Sequence, residues 1–111
     1  SLLTTTAVIE YFKSAEKLDV DIRKLFEVAK LGSGNSGALN RIAEKAISGN
    51  YKGYIFSVSN TLKDLTYIND LLKDLPNAQK FSSIAKTFYE ESVKKGNGQL
   101  LISELIEKEK Y

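Results

Sequence analysis

The chain contains no cysteine and no histidine. Without cysteine there is no disulfide and no thiol nucleophile. Without histidine there is no imidazole base, and the two absences together remove the commonest transition-metal ligands. Long hydrophobic runs are missing as well, since none approaches the roughly 18 residues that cross a bilayer. The sequence has neither a secretion signal nor an N-x-[ST] acceptor, so nothing in it points outside the cytoplasm. Charge of one sign is scarce: the formal net charge is +2 and the pI about 8.7. That balance is too mild to demand an anionic partner, and only Arg23 and Arg41 are forked donors. Nucleic acid and a membrane surface are therefore not implied.

Period-2 alternation is also lacking, so strands are not expected. At 111 residues, 42% hydrophobic and 27% charged, the composition is that of one soluble globular domain with a core of useful size and little to spare. Its apolar residues recur at helical spacing, which predicts an all-α fold of about six helices with short connections.

The first predicted helix runs from Leu2 to about Leu18, with Val8, Phe12, Ala15 and Leu18 on one stripe. The Thr4-Thr5-Thr6 run has poor helix propensity because β-branching restricts χ1, so tertiary packing has to hold that turn. Asp21 is the expected cap of a second helix, Ile22 to about Lys30, facing inward through Ile22, Leu25, Phe26 and Ala29. Gly32 suits the left-handed position after a helix end. A third helix is expected over 36–47, with Leu39, Ile42, Ala43, Ala46 and Ile47 inward, ended by Ser48-Gly49-Asn50.

Between the second and third helices, Gly32 to Gly37 matches G-x-G-x-x-G literally. The dinucleotide fingerprint needs a strand before it, a helix opening on it and an acidic residue about 20 positions later. Here the preceding segment has helical period, and the first acidic residues downstream are Glu44 and Asp64. The context favours a glycine-rich helix connection with Ser33, Asn35 or Ser36 as the cap of the next helix. Tyr51, Tyr54 and Phe56 then surround Gly53 in a short irregular stretch. Three rings in a loop either close off the core or form a lip over a ligand.

Val58, Leu62, Leu65, Ile68 and Leu72 form the stripe of a central helix, with Lys63 and Asp64 set beside it. Pro76 breaks that helix, and Asn77 is the expected cap of a fifth one reaching about Lys95, with Phe81, Ile84, Ala85, Phe88 and Ser92 inward. After Gly96-Asn97-Gly98 a last helical segment is predicted from Gln99 to Lys110, ending in a charged EKEK tail that should be solvated and frayed.

No complete catalytic constellation emerges from the residues. Asp19 with Asp21, Asp64 with Asp70 and Glu90 with Glu91 are the close carboxylate pairs, but general acid–base work needs burial to tune a pKa, and each pair sits where a solvated or capping role suffices. No acidic cluster has calcium-loop spacing, so no metal site is expected. Lys80, Lys86, Lys94 and Lys95 are broken up by Glu90 and Glu91, which leaves no continuous basic stripe. By this reading a stand-alone helical interaction domain is one candidate.

Three stretches in order resemble the C-terminal helical domain of the β-hydroxyacid dehydrogenases, the family of 3-hydroxyisobutyrate dehydrogenase and glyoxylate/succinic semialdehyde reductase. GSGNSGAL, from Gly32 to Leu39, is similar to the family's GSGxS turn. Gly49-Asn50-Tyr51-Lys52-Gly53, leading through Phe56 to Leu62-Lys63-Asp64-Leu65, resembles G-x-F…G-F-x-L-x-L-x-x-K-D-L. AKTFYEESVKKG, from Ala85 to Gly96, resembles A-x-x-x-Y-x-x-A-x-x-x-G. The sequence departs from the pattern where Tyr51 replaces the common Phe, and where one extra residue separates the Gly49 turn from Phe56.

The resemblance implies an orthogonal or irregular bundle like the C-terminal domain of 6-phosphogluconate dehydrogenase. It implies an upstream Rossmann domain that binds NAD or NADP, with a K-x-x-x-N motif just before Leu2 supplying the catalytic lysine. Ser1 stands near the place of that motif's asparagine. The isolated chain, expected to be a fragment lacking that upstream domain, should be inactive and bind no cofactor by itself. Residue by residue, Lys63 corresponds to the lysine that reaches the cofactor near the nicotinamide, and Phe56 to the phenylalanine lining the same cleft. Ser33 and Gly34 correspond to the small-residue turn at the substrate cleft, and Asp64 to the carboxylate that follows the lysine. A homodimer in the cytoplasm is the implied assembly.

Overall fold

The computed structural model describes residues 2–111. Five α-helices, α1 (Leu2–Lys17), α2 (Ile22–Ala29), α3 (Gly37–Ala46), α4 (Val58–Leu71) and α5 (Pro76–Lys94), are followed by a 3-10 turn, Ile102–Glu104, and a short α6 (Leu105–Lys108). The fold is all-α, as the helical periodicity requires. Among the described residues the only sheet-like pairing is an isolated antiparallel bridge between Ser57 and Leu101.

Helix α1 is the element that the others surround, packing against α2, α3, α5 and α6. Its Val8, Ile9 and Phe12 are buried together with Phe26 of α2, Ile42 and Ala43 of α3, Val58 and Leu65 of α4, Tyr89 of α5, and Ile102 and Ile106. The threonine run holds its helix through this packing. Thr6 Oγ1 donates to Leu2 O at 2.7 Å and lies 2.7 Å from the Tyr89 hydroxyl. A hydroxyl has one proton to give, so Tyr89 is the donor in that buried pair. α4 and α5 form an antiparallel helical hairpin with the most extensive mutual packing in the chain.

The helix ends follow the sequence in part. Asp21 accepts from Arg23 N at 2.9 Å and caps α2, while Ser36 accepts from Leu39 N at 3.0 Å and caps α3. α5 differs: Leu75 is the N-cap and Pro76 occupies the first turn. There its missing N–H costs nothing, so Asn77 is helical and not a cap. Left-handed backbone occurs at Asp19, Gly49 and Gly96 and not at Gly32.

The predicted inward faces of α4 and α5 are only partly buried. Val58, Thr61 and Leu65 are buried on α4, and Ser82, Ala85, Tyr89 and Ser92 on α5. Ile68, Phe81 and Ile84 are instead exposed; Ile68 and Phe81 line a shallow apolar hollow together with Leu2 and Leu3 at the start of α1. The last segment is not one helix. The chain from Gly98 to Leu101 runs along the start of α4, with Ser59 N donating to Gly98 O at 3.0 Å and Val58 N to Leu100 O at 2.8 Å. That pairing uses backbone groups which a continuous helix would need for itself. The charged tail is also more ordered than its composition suggests. Glu109 accepts from Ser92 Oγ at 3.1 Å and Asn97 Nδ2 at 2.8 Å, and the Tyr111 hydroxyl bonds to Glu10.

Two stability predictions follow from this packing. A Cβ on Gly53 would lie 2.2 Å from the backbone oxygen of Arg41, whereas one on Gly37 would meet open space. Gly53→Ala should therefore destabilise by about 3 kcal/mol through overpacking against backbone. Gly37→Ala, inside a helix, should be neutral or stabilise by about 0.5 kcal/mol. Urea denaturation of both variants checks the pair. Burial pushes the Tyr89 phenol up to about 12 from its ordinary 10.0. The unfolded chain loses this proton first, so stability contributed by Tyr89 is complete below pH 10 and is lost as the pH rises towards about 12. Tyr89→Phe should flatten the urea midpoint over that alkaline window while lowering it at neutral pH.

Candidate functional site

The loop between α3 and α4 carries the three rings, and the fold fixes it from two sides. Gly53 lies against the α3 backbone at Arg41, an approach that only a residue without a side chain permits. On the other side, Ser103, buried in the 3-10 turn, donates its hydroxyl to Tyr51 O at 2.6 Å and accepts from Tyr54 N at 3.2 Å. Ile102 N donates to Phe56 O at 2.9 Å. The loop is therefore bonded like regular structure although its sequence is irregular.

Beside it opens a concavity of about 650 Å³ lined by Leu2, Arg41, Gly53, Tyr54, Ile55, Phe56 and Asp64. A second hollow of about 330 Å³ shares Arg41 and Tyr54 with it and adds Thr4, Ser36, Gly37 and Ala38. The loop both closes off the core and borders the hollow. Tyr51 and Tyr54 pack on the core cluster, while Tyr54, Ile55 and Phe56 form the lip of the hollow.

Of the sequence-derived site residues, Phe56 and Asp64 are brought together on this hollow. Lys63 is not among its lining residues. It is exposed, and at about 100° per residue it lies across α4 from Thr61 and Leu65, so it stands opposite the buried face and not at its edge. Asp64, turned by one residue, faces the hollow instead. Ser33 and Gly34 are exposed in the α2–α3 connection and line neither hollow. Of that glycine-rich stretch it is Ser36 and Gly37 that reach the site. Ser1 lies outside the described residues. Among the described residues no group of Asp and Glu is placed to hold a metal ion, and no helix is long and apolar enough to cross a membrane.

The glycine-rich connection is not a phosphate cradle. It joins two helices, and the Ser36 hydroxyl already takes a first-turn N–H of α3. The site has instead two opposite charges, Arg41 and Asp64, in one open hollow. The sequence reading missed Arg41. Its only signal was being one of two arginines, and nothing in the periodicity of α3 marks it.

A family profile described as "NAD-binding of NADP-dependent 3-hydroxyisobutyrate dehydrogenase" matches residues 1–108. No curated protein matches the chain in sequence. Among solved structures, 3-hydroxyisobutyrate dehydrogenase from Salmonella typhimurium superposes with a TM-score of 0.79 at 22% identity. The match covers 96% of this chain and 38% of that one, so the chain spans well under half the length of that enzyme. At this identity the likeness establishes the shared helical fold.

Ser103→Ala is the variant that isolates the lip. It removes the buried donor to Tyr51 O and the acceptor for Tyr54 N, so it should cost about 1–3 kcal/mol. Hydrogen exchange at the Tyr54 amide should rise more than at α1 amides. Equal acceleration throughout would mean that Ser103 supports the whole fold and not this loop.

Proposed function

Because the chain belongs to the family of NAD-binding domains of NADP-dependent 3-hydroxyisobutyrate dehydrogenase, we propose that it forms one wall of the substrate cleft of an NAD(P)-dependent hydroxyacid dehydrogenase. The enzyme would pass hydride between nicotinamide and the carbon bearing the hydroxyl of a small hydroxyacid. The observation that carries this reading is the open hollow in which Phe56 and Asp64 meet beneath an ordered aromatic lip.

The division of labour follows from what the residues here offer. Among the described residues there is no strand–glycine–helix unit for a pyrophosphate, and the matched dehydrogenase is far longer than this chain, so the dinucleotide would be held by an upstream domain of the same protein. That upstream segment also supplies the catalytic lysine. Phe56, on the lip of the hollow, would offer its apolar ring to the nicotinamide of a bound cofactor. Lys63, exposed on the outer side of α4, is free to extend its four-carbon stem to a carbonyl or phosphate on the facing domain. Asp64 accepts from a substrate hydroxyl. Ser33 and Gly34 shape the turn that leads into the Ser36–Gly37 side of the site.

Subunit pairing has a surface to use. Leu71, Leu75, Phe81 and Ile84 of the α4–α5 hairpin are 80%, 57%, 60% and 56% exposed, large apolar side chains that a partner subunit could cover. A cytoplasmic homodimer with this hairpin at its interface is the assembly we propose.

The test uses the longer protein that contains this domain. It should reduce NAD or NADP with a short 3-hydroxyacid, and Lys63→Ala should lower kcat/KM by about 100-fold. The 111-residue chain alone should give no turnover and scatter light as a dimer. Absence of turnover in the longer protein with every short hydroxyacid would sink the reading.

A further inference from the structure

Among the described residues Arg41 is the one cation that lines both hollows. Among the described residues its guanidinium has no hydrogen bond and no carboxylate partner. Arg41 is exposed, and its guanidinium carbon lies over the Tyr54 ring, 5.9 Å from the centroid. Asp64 shares the larger hollow, yet no ion pair joins the two.

Each of these facts has a consequence. Contact with a ring face limits the planes that a guanidinium can adopt while leaving its forked N–H edge available. The ring itself is held, because the Tyr54 amide is bonded to Ser103 and the neighbouring Gly53 is wedged against the Arg41 carbonyl. The ring thus narrows the planes open to the guanidinium before any ligand arrives, which lowers the ordering cost of binding. A forked cation with unused donors on the wall of an open hollow matches two oxygens of one anion bidentately. A carboxylate standing apart in the same hollow repels a second negative group and accepts from a hydroxyl.

We propose that Arg41, oriented by Tyr54, is the oxyanion-recognising residue of this site. The anion is a planar carboxylate or a phosphate oxygen pair. If the hollow is the dehydrogenase cleft wall proposed above, the carboxylate source is the hydroxyacid and the phosphate source is the dinucleotide. The recognition itself does not depend on that reading.

The experiment reads binding and not turnover. The 15N-labelled 111-residue chain is titrated with 3-hydroxyisobutyrate and, separately, with inorganic pyrophosphate. The Nε–H resonances of Arg41 and of Arg23, an exposed arginine on α2, are followed together. A saturable shift at Arg41 that exceeds the one at Arg23 is expected with at least one anion. Saturation by the hydroxyacid alone identifies a carboxylate site, and saturation by pyrophosphate alone a phosphate site. Saturation by both supports an oxyanion site common to the two. Amide shifts at Tyr54 and Ile55, read in variants as well, should show Arg41→Gln binding at least tenfold more weakly and Arg41→Lys several-fold more weakly, since an ammonium cannot pair bidentately. Responses at Arg41 no larger than at Arg23 with both anions, or unchanged affinity in Arg41→Gln, would overturn the proposal. Either result leaves the family reading untouched, whereas loss of that reading would be seen only as absent turnover in the longer protein.

Discussion

The close pass of Gly53 over the Arg41 carbonyl is the constraint on which the rest of this structure turns. The 47–57 loop is the only covalent link between the first three helices and the α4–α5 hairpin. Where it crosses α3, it sets how the two halves of the chain meet. Because glycine lets the backbones touch, Tyr51 and Tyr54 reach the core, and Val58 enters α4 already buried beside Leu100. A side chain at this crossing would lift the loop off α3 and withdraw the lip of the hollow with it.

Packing and site are built from the same bonds. Ser103 belongs to the last 3-10 turn by sequence, yet its hydroxyl works on the loop some fifty residues earlier. The turn that carries it is anchored by Ile102 and Ile106 in the core around α1. Burial of α1's apolar stripe therefore does more than stabilise the bundle: through Ile102 and Ser103 it holds the aromatic lip open over Arg41 and Asp64. The α4–α5 hairpin shows the converse. Phe81 and Ile84 have the same helical spacing yet remain in water, so the periodicity that built the core also leaves an apolar face for a neighbour.

Much of the fold was legible in the residues. Five helices and their approximate spans follow from the spacing of Val8, Phe12, Phe26, Ile42, Val58, Leu65 and Ala85, and two caps follow from Asp21 and Ser36. The last segment was misjudged because Leu101, Ile102, Leu105 and Ile106 have helical spacing, whereas their neighbours Gly98 and Leu100 are bonded to α4 instead. The site was less legible. Phe56 and Asp64, named through the resemblance, both line the hollow, and the family match bears out the resemblance itself. Lys63 was placed beside the packed stripe but stands opposite it, because the buried face of α4 centres on Thr61 and Leu65 and not on Leu62.

By itself the sequence determined an all-helical chain with no thiol or imidazole chemistry, no long apolar span and a dehydrogenase-like order of motifs. These are properties of local spacing and composition, which are present before the chain folds. Only the tertiary structure decided that Arg41 and Asp64 face one hollow and that the hairpin keeps an apolar side uncovered. Each of those depends on which residues far apart in the chain exclude water from one another, and helical period carries no record of the partner.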